Sequence, residues 1–174
     1  MRRIAALVTL AALTLAAPEA QQADNKKWDV TAPLGPTQTI AFDTSEGTWM
    51  NVDVSPDAKQ IVFDLLGDIY TMPIAGSGSA PATRIAGGPA FDMQPRFSPD
   101  GKRIAFSSDR DGLWNIWTMD ADGKNAKQIS REKRWFINSP AWSSDGAYIF
   151  ARRHFVSTRS LGAGEIWMFH AARS

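Results

Sequence analysis

The chain contains no cysteine. Disulfides, thiolate metal ligands, a cysteine nucleophile and a lipid-modified N-terminal cysteine are therefore all excluded. Histidine is almost as scarce: His154 and His170 are the only two, and no His-x-His pair exists to begin a metal centre. With serines concentrated in turn-like phrases, no nucleophile, base and orienting group can be assembled, so the chain is not expected to be an enzyme by itself. Net charge is also lacking. Setting aside Arg2, Arg3 and Glu19 from 19 basic and 18 acidic residues leaves 17 of each, which gives no global field for nucleic acid or an anionic membrane. No apolar run reaches the ~20 residues a spanning helix needs. Helix caps and a 3.6-residue apolar period are missing as well, which leaves an all-β chain.

The first segment is set apart by composition. "MRRIAALVTLAALTLAAPEA" places Arg2 and Arg3 before an apolar run from Ile4 to Ala17, followed by small residues and Pro18. Residues 1–20 are read as a Sec-type signal peptide, with cleavage expected between Ala16 and Ala23. The mature protein is then periplasmic or secreted, with no membrane anchor and no nucleic-acid partner. Residues 21–38, polar and with two prolines, form a flexible lead-in.

The rest of the chain writes one phrase three times: "VSPDAKQIVF" around Ser55, "FSPDGKRIAF" around Ser98 and "WSSDGAYIFA" around Ser143. Val54, Phe97 and Trp142 precede the three serines, and Ile61, Ile104 and Ile149 follow six residues after them. Further on, "DIYTM" (68–72), "NIWTM" (115–119) and "EIWMF" (165–169) share a slot. A spacing of 43 and then 45 residues between the serines is the period of four-stranded propeller blades.

Each unit reads as strand, "SPDG"-type turn, alternating strand, loop, strand, turn and outer strand, the last exemplified by "AKQIS" at 126–130. One such sheet cannot bury both faces, so like units stack against each other. The aromatics Tyr70, Trp117 and Trp167 are expected to fill the space between blades. The sequence therefore predicts a partial β-propeller over 39–174, a fragment of a larger propeller, with blades at about 47–86, 91–130 and 136–174. Residues 39–42, "TIAF", occupy a fourth-strand slot and are expected to be a closing strand. The third unit stops after its third strand, and the missing C-terminal blades are an expected partner.

The "SPDG…IAF…NIWTMDADG" pattern over residues 39–170 resembles the TolB-like periplasmic propeller family. Longer phrases, "TSEGTWMNVDVSPD", "IVFDLLGDIYTMPIAG", "AFDMQPRFSPDGKRIAFSSDR" and "RSLGAGEIWMFH", are similar to the N-terminal propeller of secreted amidohydrolases. That resemblance implies a non-catalytic scaffold or gate for a hydrolase domain downstream. It implies no cofactor in this chain, and a divalent metal only in that missing domain. Two other readings stay open: a protein-binding module of the Tol-Pal type, docking a peptide or envelope protein at the propeller mouth, and the gating propeller of a prolyl-oligopeptidase-type peptidase.

Candidate binding residues fall in two groups. Asn51, Asp53, Gln94, Arg96 and Ser139 lie on the innermost strands between apolar neighbours, where residues line an axial channel. Arg152, Arg153, His154 and Arg159 lie in a long loop expected between the second and third strands of the third blade, suited to a carboxylate or to the hydrolase domain. The Asp and Gly residues of "DRDG" and "DADGKN" lack the distal bidentate glutamate of a calcium loop and are explained by turn chemistry. "REKRW" at 131–135 is a basic run ending in an aromatic, placed on the rim of the propeller.

Overall fold

A computed structural model describes residues 40–75, 81–155 and 164–172, with 30, 32, 35, 36 and 38 before them. Eleven strands in three antiparallel sheets make up the described secondary structure. The first sheet holds β1 (Val52–Val54), β2 (Gln60–Leu65), β3 (Asp68–Pro73) and β4 (Thr83–Ala86) in chain order. The second repeats that order with β5 (Asp92–Phe97), β6 (Arg103–Ser108), β7 (Asn115–Asp120) and β8 (Lys127–Gln128). The third has β9 (Trp135–Trp142), β10 (Tyr148–Phe155) and β11 (Gly164–His170). Each is a meander, as expected of a propeller blade.

The repeated phrase folds three times into one turn. Ser55, Ser98 and Ser143 each direct Oγ to the aspartate two residues on, at 2.6–2.7 Å. The same oxygens accept the N–H of Gln60, Arg103 and Tyr148 at 2.9 Å, where the next strand begins. Ala58, Gly101 and Gly146 close the turn with φ of 55°, 68° and 69°. Two of the three positions therefore carry glycine, which reaches that region without steric cost. Side-chain and backbone bonds together hold Asp57, Asp100 and Asp145 below the ordinary aspartate pKa, with the serine hydroxyl the largest cause in each.

Packing between sheets forms two cores. Val62 and Ile69 of the first blade meet Phe97, Ile104, Phe106 and Met119 of the second. Ala105 and Ile116, on the opposite face of the second blade, meet Ile137, Ile149 and Ala151 of the third. Strand alternation explains the division, because Phe106 and Ala105 are neighbours pointing to opposite faces. The DADG turn also packs between blades: a Cβ on Gly123 would collide with the Ile85 carbonyl of β4. Glycine is required there by φ (+86°) and by contact.

Four expectations differ from the structure. Residues 40–42 form no strand, and Ile40 and Phe42 are exposed, because none of the three sheets offers them a ladder partner. β8 is two residues long rather than five. Past Gln128, the N–H groups of Ile129 and Ser130 both turn to the Ile116 carbonyl, while Ser130 Oγ receives the Ile116 N–H at 2.8 Å and displaces the ladder. Arg152, Arg153 and His154 lie within β10, not in a loop, because pairing to β9 and β11 carries the sheet that far. Of the three slot aromatics, only Trp117 packs on a core between two described blades. Tyr70 stacks on Phe63, its ladder partner in the first blade, at 5.6 Å. Trp167 stacks on Phe169 and stays 39% exposed. The expected signal peptide and nearly all of the lead-in lie outside the described residues.

Candidate functional site

The inner-strand candidates are brought together as a chain of bonds between blades. Asp64 of β2 accepts the Asn51 N–H at 2.7 Å, Asn51 Nδ2 at 2.8 Å and the Gln94 N–H of the next blade at 2.6 Å. Gln94 Oε1 then accepts the Ser139 N–H of the third blade at 2.7 Å. Gln94 and Ser139 have φ of 57° and 56°, and each sits in a break of register on its strand. Such a bulge turns the amide out of its own ladder, so it is free to reach the preceding blade. Asp53 accepts the Phe97 N–H at 2.8 Å, and Arg96 donates to the Val52 carbonyl at 3.2 Å. Trp142 Nε1 completes the pattern on the Arg96 carbonyl at 3.0 Å. Of the expected channel-lining residues, Asp53, Gln94, Arg96 and Ser139 thus make polar bonds from one blade to another, and Asn51 holds the Asp64 that receives Gln94.

Near the other ends of these strands, arginines roof the slot aromatics. The Arg110 guanidinium lies 5.2 Å from the Trp117 ring and 5.0 Å from Phe106, and binds Asp92 at 2.6 Å. Asp92 is fully buried. Burial raises its pKa above that of an ordinary aspartate, against the Arg110 bond that lowers it. In the third blade Arg153 sits 3.8 Å over Trp167 and 5.3 Å from Trp135, with Glu165 at 2.9 Å and Glu132 at 3.6 Å. This half-buried, doubly paired arginine has no free fork for a carboxylate. His154 Nε2 lies 3.2 Å from Asn138 Oδ1. Burial, with Arg152 beside it, lowers the His154 pKa and so disfavours the charged ring. Arg159 lies outside the described residues.

An aromatic strip absent from the expectations runs across these loops. Phe91, Trp114, Phe136 and His154 follow one another with ring centroids 5.9, 5.1 and 6.1 Å apart. Phe91 rests against Gly67, where a Cβ would press 2.9 Å from its ring. A signal for the strip exists in the sequence: Phe91 and Phe136 stand seven residues before Ser98 and Ser143, in one repeat slot.

Three bladed sheets in series, joined by repeated bonds, have known counterparts. Residues 36–163 match the TolB beta propeller domain. The chain belongs to the TolB β-propeller family. This TolB-like chain is 46% identical over 46 residues to the Tol-Pal system protein TolB of Syntrophus aciditrophicus, covering 26% of the chain and 10% of that protein. It is 36% identical over 139 residues to the uncharacterised peptidase YuxL of Bacillus subtilis, covering 79% of the chain and 19% of that protein. Among solved structures, a putative TolB from Agrobacterium tumefaciens superposes with a TM-score of 0.55 at 24% identity. That match covers 69% of this chain and 50% of the other. The chain spans about a third or less of the length of the curated relatives it matches. No helix among the described residues is long and apolar enough to cross a membrane.

Proposed function

We propose that this TolB-like chain is the non-catalytic scaffold or gate of a larger exported amidohydrolase, contributing blades to a propeller that continues past those described. One observation carries the continuation of the propeller, while the amidohydrolase assignment rests on the phrases similar to that family's N-terminal propeller. Phe150 and Ile166 on the third blade are 37% and 72% exposed, whereas their repeat equivalents Val62 and Ala105, and Ile69 and Ile116, are all at 0%. Positions buried by a neighbouring sheet in two blades are apolar but bare in the third. Val52 and Val54 on the outer face of the first blade are likewise bare where Pro95 and Phe97 are buried.

The similarity to the YuxL peptidase favours a second reading, the gating propeller of a peptidase. One experiment separates the two. The native polypeptide that carries these residues is purified from its source and assayed for amide hydrolysis. Activity abolished by a chelator and restored by a divalent metal supports the amidohydrolase. Activity insensitive to chelator but blocked by a serine-directed fluorophosphonate supports the peptidase. A native polypeptide with no hydrolytic activity overturns both.

A further inference from the structure

The aromatic strip and the REKRW loop were assigned no role by the scaffold reading, and they adjoin. Arg131, Lys133 and Arg134 are exposed and form no ion pair or side-chain hydrogen bond among the described residues. They directly precede β9, whose second residue is Phe136 of the strip. The carboxylates carried by the same loops are all hydrogen-bonded or ion-paired, two of them to an arginine. Asp109 holds the Phe91 N–H, and Asp111 holds Gln128 Nε2. Glu132 pairs with Arg153, and Asp92 with Arg110. Asp109 and Asp111 bond only to neutral N–H groups and keep their charge, so the excess of positive charge lies on the Arg131–Arg134 loop itself, whose one acid, Glu132, is paired with Arg153. Its apolar surface is open as well: Phe91 is 47% exposed, and Leu113, next to Trp114, is 44% exposed.

We infer that the Phe91–Trp114–Phe136 strip, with the Arg131–Arg134 loop, is a docking surface for an extended acidic polypeptide segment carrying apolar side chains. Spacing supports an extended occupant. Same-side residues of a strand recur every ~6.7 Å, a little more than the 5.9 and 5.1 Å steps between the three rings. The three cations of the Arg131–Arg134 loop, unpaired among the described residues, favour an acidic one at that end of the strip, since opposite potentials steer encounter and set specificity. Single-stranded nucleic acid is the poorer fit. Bases stack on open ring faces along a basic track. Here the rings meet one another at 66°, 50° and 66°, and the three cations occupy one loop only.

The test uses the whole chain and fluorescence anisotropy with three labelled probes. They are a peptide of alternating glutamate and phenylalanine, its lysine and phenylalanine counterpart, and an oligothymidylate. The acidic peptide is expected to bind, to weaken as salt is raised, and to lose about tenfold in affinity in the Lys133→Glu, Arg134→Glu double variant, about 1.4 kcal/mol. Leu113→Ser, at an exposed position, is expected to weaken it as well. Lys102→Glu, in the turn between β5 and β6, serves as a charge control and should leave binding unchanged. The inference is overturned by equal affinity for the basic peptide, tighter binding of the oligonucleotide, or unchanged binding in the double variant. A Lys102→Glu loss as large as that of the double variant overturns it too. None of these outcomes bears on whether the native polypeptide hydrolyses amides, so the two proposals fail separately.

Discussion

Asp92 and Arg110 show what a single pair of side chains contributes here. A buried carboxylate is tolerable only with its partner in place, and Arg110 also covers the Trp117 and Phe106 rings. Replacing Arg110 with alanine is expected to cost about 3–5 kcal/mol at neutral pH, because the buried aspartate loses its cationic partner. The pH dependence follows from the raised pKa of Asp92. The folded state holds this proton more tightly than the unfolded chain, so the group's contribution to stability declines as pH rises through its folded pKa. In Arg110→Ala the upward shift is larger, and the deficit should shrink on acidification toward the aspartate range. Urea midpoints of parent and variant across pH measure this; a deficit that stays constant would contradict it.

The element that decides blade order is the innermost strand. Its bulged residues, Gln94 and Ser139, send their N–H groups backward to Asp64 and to Gln94 itself. Gln94 is thus donor to one neighbour and acceptor for the other. Gln94→Ala keeps the backbone donor but removes the acceptor, leaving the Ser139 N–H without its bond. Each such bond contributes on the order of 1 kcal/mol, so a loss of about 1–2 kcal/mol is expected. Amide hydrogen exchange at Ser139 should quicken while exchange in β2 and β3 stays close to that of the parent. Equal quickening in all three sheets would mean that the residue does not act as a link. These inner-strand residues were legible as special, since they are polar between apolar neighbours. Their role was not legible, because a sequence does not show that a left-handed residue turns its amide to the neighbouring sheet.

Across the whole molecule, the same slot has a different energy in each blade. Ile116 and Ile166 are repeat equivalents, the first fully buried and the second largely exposed. Ile116→Ala is expected to cost about 2–5 kcal/mol through lost burial and a cavity. Ile166→Ala, in the same isolated chain, should change stability by less than about 0.5 kcal/mol. Thermal or urea unfolding of the two variants measures the contrast. Equal losses would show that the outer face of the third blade is covered after all, for example by a second copy.

The repeat phrase, the all-β character and the three-unit organisation followed from residue order alone. They depend on local chemistry: a serine and an aspartate two apart, a residue tolerant of positive φ, and alternating apolar positions. These act over a few residues and are written in order along the chain. Which residues face a neighbouring blade, which arginine covers which ring, and where β10 ends depend on distances between segments about 45 residues apart. Arg153 illustrates the difference. Its sequence context, "ARRHF", is that of an open basic loop, yet Trp135, Trp167, Glu132 and Glu165 converge on it. Stacking of sheets brings those four groups to one point, and no local pattern encodes that meeting.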